Sequence, residues 1–181
     1  MHPKPPIFLI SGPPGAGKSS VARALLERFE FGIHLPLDDL REFVVSGIAH
    51  PVPTLTPEFG RQYCLSLEAG ILLAQLYARN GFAVAIDNVV SVDDARVFDT
   101  AFQNQPFHKI LLLPRLETAL ERNRTRRNKS FDTSVLKGVI QRIHAEYGGQ
   151  VLGADWTVLD TSELSLEQTV KKILESRTVV S

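Results

Sequence analysis

Eight residues, Gly12-Pro13-Pro14-Gly15-Ala16-Gly17-Lys18-Ser19, carry the spacing G-x-x-x-x-G-K-[ST]. Each residue type in it suits an anion. Glycines let the backbone close around a phosphate with no Cβ in the way. Successive amide N–H groups and a helix amino terminus turn toward that charge. Lys18 can bridge β- and γ-phosphates as a point charge, and the Ser19 hydroxyl can ligate Mg²⁺. Gly12, Gly15, Ala16, Gly17, Lys18, Ser19 and Ser20 are therefore the candidate nucleotide-binding residues, with ATP and Mg²⁺ as the cofactors they suit. The competing reading is a chance glycine turn before a helix. The flanks argue against it. Ile7-Phe8-Leu9-Ile10 reads as a buried strand, and Lys18 to Phe29 sets Val21, Leu25 and Leu26 on one helical face.

Two acids stand where later apolar runs end. In His34-Leu35-Pro36-Leu37-Asp38-Asp39-Leu40-Arg41, Asp38 and Arg41 are three apart at a helix start and share a face. The Asp38 carboxylate can accept the proton of an attacking hydroxyl. The Arg41 guanidinium can hold an anionic group of the acceptor through two parallel hydrogen bonds. Helix capping competes for both acids. Beside a phosphate loop the balance goes to chemistry for Asp38, and Asp39 is left as a plain helix residue. Ala83-Val84-Ala85-Ile86-Asp87 is similar to a Walker B strand, whose aspartate helps place Mg²⁺ through water. Turn capping competes for Asp87, and spacing does not choose between a metal role and an acceptor role.

The most basic stretch is Glu121-Arg122-Asn123-Arg124-Thr125-Arg126-Arg127-Asn128-Lys129. Residues 115–129 carry a net charge of +4, so the rest of the chain carries −4. Arg122 and Arg126 lie four apart and share a helical face. A mobile arginine segment can cover a nucleotide and neutralise charge developing on a transferred phosphoryl group. A solvated, cation-rich helix end is the plainer alternative.

In this order the motifs resemble the small P-loop kinases that phosphorylate hydroxyls: gluconate, shikimate and chloramphenicol kinases and phage-type polynucleotide 5′-kinases. The resemblance runs from Ile7 to about Leu174. It implies that Asp38 is the general base and that Arg41 holds an acceptor phosphate, as in the polynucleotide kinases. It implies an arginine lid at about 122–131, with Arg122 and Arg126 facing the phosphates and, with Lys18, serving catalysis. The family often shows Asp-x-Asn after the third strand; Asp87-Asn88-Val89 matches it in part. Asp160-Thr161-Ser162 falls where the family's adenine-binding loop lies. The acceptor region, roughly Ser46 to Gln75, matches no known pattern.

The elements that must position these residues alternate regularly. Strands are expected at Ile7–Ile10, Ile33–Leu37, Phe82–Ile86, Ile110–Leu113 and Trp156–Leu159. Helices are expected over Lys18–Phe29, Asp38–Ser46, Pro57–Asn80, Val92–Phe102 and from Leu116 to about Arg124. Two more begin at Asp132 or Thr133 and at Ser165, the last with Gln168 completing a capping box. Gly60 and Gly70 weaken the long third helix. This is β-α repeated about five times, an α/β chain with a parallel sheet covered on both faces. With the resemblance it becomes a three-layer P-loop NTPase fold with ligands at the carboxyl ends of the strands.

Composition narrows the classes. Residues 1–181 are expected to form one kinase domain. Zero net charge argues against broad attraction to nucleic acid or membrane. A single cysteine, Cys64, excludes an intrachain disulfide. His34, His50, His108 and His144 show no metal-ligand spacing. The amino-terminal apolar run is too short for a secretory signal, so a cytoplasmic protein is expected. The expected activity is Mg²⁺-dependent transfer of the ATP γ-phosphoryl group to a hydroxyl of a small, anionic acceptor. A polynucleotide 5′-hydroxyl kinase is the runner-up, with Phe43, Phe59 and Tyr63 as its only candidate stacking surface. A non-catalytic nucleotide-binding regulator is the alternative of another class. Oligomeric state is not legible.

Overall fold

The computed structural model describes residues 4–51, 54–125, 136–149 and 155–177. Strand β1 (Ile7–Ser11) runs into the glycine loop and helix α1 (Lys18–Leu26). Then come β2 (Gly32–Pro36), α2 (Leu37–Glu42), the long α3 (Pro57–Arg79), β3 (Ala83–Asp87) and α4 (Val92–Phe102). The chain continues through β4 (Phe107–Leu112), α5 (Leu116–Arg124), α6 (Lys137–Gly149), β5 (Trp156–Leu159) and α7 (Leu166–Arg177). The expected α/β alternation is present, and α4 and β5 have the expected bounds. The helix expected over Asp38–Ser46 is shorter, ending in Glu42 rather than running to Gly47.

The five strands are all parallel, in the order β2-β3-β1-β4-β5. The central β1 pairs Ile10 with both Asp87 of β3 and Ile110 of β4. Its five residues are all buried, which is why Ile7-Phe8-Leu9-Ile10 reads as continuous and not alternating. Odd and even residues of β1 enter different cores. Ile7 and Leu9 join Leu35, Ile86, Phe98 and Phe102 under α3 and α4. Phe8 and Ile10 join Val21, Leu25, Val170 and Ile173 under α1 and α7. The chain steps outward from β1 to β2 and then winds back through β3 to β4 and β5, so the connections leaving the adjacent strands β1 and β3 run to opposite faces and the switch point lies between them. The loop leaving β1 therefore opens into the crevice where such sheets bind ligands.

Helix ends follow the local chemistry. Thr56 caps α3 by accepting from the Phe59 amide, and Pro57 occupies the first turn. Gly70 does not interrupt α3: a Cβ there would come within 2.4 Å of Leu37 Cδ2, so the glycine is where α2 presses on α3. The Ser165–Gln168 capping box forms reciprocally at 3.1 and 2.8 Å. Among the described residues no helix is long and apolar enough to cross a membrane.

Candidate active site

The glycine loop is shaped by positions only glycine tolerates. Gly12, Gly15 and Gly17 have φ of 147°, 85° and 93°. A Cβ at Gly12 would meet the Leu112 carbonyl oxygen at 2.3 Å, and one at Gly15 the Ala119 oxygen at 2.2 Å. The loop is thus wedged between the ends of β1 and β4 and the flank of α5. Gly17 caps α1 with no side-chain cap, and no acid stands in the first turn. No side chain caps the first N–H groups of α1, which leaves them available to an anion. Lys18 Nζ donates to the Gly12 carbonyl at 2.8 Å and to Pro13 at 3.3 Å, so the ammonium arches back over the loop. Ala16 is buried and closes a turn onto Pro13.

Asp87 ends β3 beside this loop, nine-tenths buried. Burial pushes its carboxyl up. The hydrogen bond from His34, the Lys18 charge and a hydrogen bond from Ser19 outweigh that, and it lies below the ordinary aspartate value. An ionised carboxylate and a hydroxyl at a helix amino terminus are hard oxygen donors that fit Mg²⁺, which keeps several waters and phosphate ligands of its own. No cluster of three or more His, Cys, Asp or Glu exists among the described residues for another kind of metal site. Asn88 is buried next to Asp87, its Oδ1 accepting from the Val89 amide at 2.8 Å. Behind it, Ser11 Oγ, Tyr147 Oη and the Val90 backbone form a buried network at 2.9–3.2 Å. No spacing in the sequence announces this network, because Ser11 and Tyr147 are 136 residues apart.

Asp38 and Arg41 come together at the end of β2. The α2 N-cap is Pro36, with no side-chain cap, so the competing use of Asp38 as a cap is not realised. Asp38 is 58% exposed and its Oδ1 lies 3.7 Å from Arg41 Nη1. Arg41 is only 10% exposed. Its Nη2 donates to the Ala49 carbonyl at 2.8 Å, its guanidinium lies 4.4 Å from the Phe59 ring centroid, and its Nε is buried with no partner. The fork that could hold an acceptor's anion through two parallel hydrogen bonds is therefore half committed to its own loop. That loop is braced in turn. Gln62 donates to Gly47 O and accepts from the Ala49 amide, and Glu58 holds it from the next turn of α3. The Arg61 and Gln62 hydrogen bonds bring the Glu58 carboxyl down to about 2. Tyr63, stacked near Phe59, lies within donating distance of Asp94 in the first turn of α4 and of the Val89 carbonyl in the loop before it. Gln62, Tyr63 and Asp94 carry no recognisable pattern in sequence; only the packing of α3 on α2 and α4 brings them here. Phe43 stands apart, 75% exposed, so the three aromatics do not form one surface.

Arg122 is committed to the turn after β5. Its guanidinium donates to the Thr161 carbonyl at 2.9 Å and to Thr161 Oγ1 at 3.3 Å. It thereby ties α5 to the turn after β5, which Asp160 and Ser162 also close. Arg126 and most of the expected lid fall on 126–135, outside the described residues. Of the other histidines, His144 bonds the Pro114 carbonyl and His108 stacks on Phe8.

An open parallel sheet with this strand order, a glycine loop at its switch point and an acid at the end of β3 defines a P-loop nucleotide-binding domain of the kinase kind. The chain belongs to the AAA_33 family, described as an AAA domain, whose model matches residues 7–149. No curated protein matches the sequence. Among solved structures, a protein called APE1195 is similar at 24% identity and TM-score 0.67, covering 98% of this chain and 97% of that one. A gluconokinase from Sinorhizobium meliloti is similar at 15% identity and TM-score 0.65, with 99% and 95% covered. A tunicamycin resistance protein from Deinococcus radiodurans is similar at 19% identity and TM-score 0.61, with 95% of each chain covered. At these identities the likeness is one of fold.

Proposed function

We propose that residues 1–181 act as one kinase domain that transfers the γ-phosphoryl group of ATP, with Mg²⁺, to a hydroxyl of a small anionic acceptor. The observation that carries this is Asp38: a carboxylate that caps no helix and is open to solvent, at the carboxyl end of β2 on the same edge of the sheet as the phosphate-binding loop. Nucleotide binding alone has no use for an acid there, which separates the reading from a non-catalytic regulator.

Ser19 and Asp87 would hold Mg²⁺, which when bound would supply charge neutralisation at the phosphates. Lys18 and the first amides of α1 bind and orient the phosphates. Asp38 takes the hydroxyl proton as the O–P bond forms and the bond to the ADP leaving group breaks. Arg41, fixed by Ala49 and Phe59, has its buried Nε left as a donor for the acceptor's anionic group. Arg122 reaches the phosphates from α5 by exchanging its Thr161 bonds for theirs, and Arg126 is the second arginine assigned to them.

The test is transfer of labelled γ-phosphate from ATP to a panel of sugars, sugar acids, nucleosides, aminoglycoside-type antibiotics and 5′-hydroxyl oligonucleotides. Labelling of a small acid supports the reading. Labelling of the oligonucleotide alone, suppressed by salt, selects the polynucleotide kinase instead. Tight ATP binding with no labelled product selects the regulator.

A further inference from the structure

His34 has no metal-ligand spacing and reads from sequence as an ordinary surface or core histidine. Its surroundings give it a task. In the β2–β3 ladder His34 stands opposite Ala85 and Pro36 opposite Asp87. Side chains two apart share a strand face, so His34, Ala85 and Asp87 lie on the face covered by α1. The small Ala85 side chain leaves room for the imidazole to lean along the strands. Its Nε2 comes 2.5 Å from Asp87 Oδ2, and the two side chains are 12% and 9% exposed. Ser19 is close enough to the same carboxylate to lower its pKa. His34 itself touches neither the glycine loop nor Asp38 in any hydrogen bond; it borders a recess lined by Arg23, Leu26, Glu27 and Gly32.

A buried hydrogen-bonded pair adds little net stability over apolar groups of the same shape. Packing alone is therefore a poor account of an imidazole at this place. Groups bonded behind a metal-binding carboxylate fix its orientation and its basicity. Resting on the Mg²⁺ reading of Ser19 and Asp87, we propose that His34 is a positioning residue: it holds Asp87 through Oδ2 in the rotamer shared with Ser19. It acts on the metal that accompanies the nucleotide, not on the nucleotide itself.

The test is equilibrium binding of a fluorescent ATP analogue to the full chain, first with EDTA and then across a Mg²⁺ titration. Wild type is compared with Asp87→Asn, His34→Ala and His34→Gln. His34→Ala keeps the metal-free affinity but needs about 10-fold more Mg²⁺ to tighten binding. His34→Gln, whose amide can donate from the same side, recovers most of that loss. A Mg²⁺ midpoint that moves in Asp87→Asn and stays put in His34→Ala overturns the positioning role alone. Equal loss of metal-free and Mg²⁺-dependent binding in His34→Ala also overturns it, because that is the result of a packing role. An unmoved midpoint in Asp87→Asn overturns the metal reading, and the positioning role with it.

Discussion

Asp38 and Arg41 share a turn of α2 but not an environment. The acid is open and uncapped; the arginine is nearly buried and tied to Ala49 and Phe59. A flexible ammonium cannot replace such a guanidinium, because the planar fork and the ring contact both vanish. Arg41→Lys is therefore expected to raise the KM for an anionic acceptor by about 10-fold or more, the weight of a charge-assisted hydrogen bond, with the KM for ATP unchanged. Steady-state kinetics with each substrate varied in turn checks the split. Sequence reveals both residues, because an acid and an arginine three apart after an apolar run have few other uses beside a phosphate loop. It hides His34, Gln62, Tyr63 and Asp94. Their roles depend on strand register and helix packing, which relate residues far apart in the chain.

At the scale of elements, the glycine loop and α5 are one mechanical unit. Gly15 has both a left-handed φ and the Ala119 carbonyl against its missing Cβ, whereas Gly17 has the left-handed φ and open space. Gly17→Ala should cost about 1–2 kcal/mol, the strain of an L-residue in that conformation. Gly15→Ala should cost more and also push the loop off α5. Thermal unfolding of the two variants without nucleotide measures the difference, and a larger loss in Gly17→Ala would contradict it. The G-x-x-x-x-G-K-[ST] pattern makes the loop legible, and alternation makes most helices and strands legible. The shortness of α2 is not. Helix periodicity persists through Phe43 and Val44, but the chain leaves the helix so that Gly47 and Ala49 can meet Gln62.

For the molecule as a whole, β-α alternation and continuous apolar strands predict a covered parallel sheet. The order β2-β3-β1-β4-β5 is invisible in the sequence, because strand pairing is a long-range choice among similar apolar runs. The core beneath that order is sensitive. Phe98, fully buried on the inner face of α4, should cost about 3–5 kcal/mol when replaced by alanine, read by chemical denaturation. The Tyr147 network adds a pH signature. Burial is the main cause raising the Tyr147 hydroxyl from 10.0 to about 12. A group raised in the folded state lends stability that is complete below its unfolded value and is lost as pH rises through the folded one. The stability difference between wild type and Tyr147→Phe should therefore be about 1 kcal/mol at neutral pH and should shrink between pH 10 and 12. A difference that stays constant across that range contradicts the burial argument. Zero net charge likewise hides structure: a +4 segment at residues 115–129 is set against a −4 remainder. That is compatible with gripping one phosphate-bearing ligand without coating a polyanion.

The central claim is that Asp38 serves phosphoryl transfer and not nucleotide binding. Asp38→Asn keeps the shape of the side chain and removes its capacity to take a proton. Single-turnover transfer from labelled ATP to the acceptor found in the panel, measured beside ATP affinity, tests this most directly. The account predicts unchanged ATP affinity and a transfer rate lowered by about 100-fold or more. Transfer by Asp38→Asn at a rate close to wild type would contradict it.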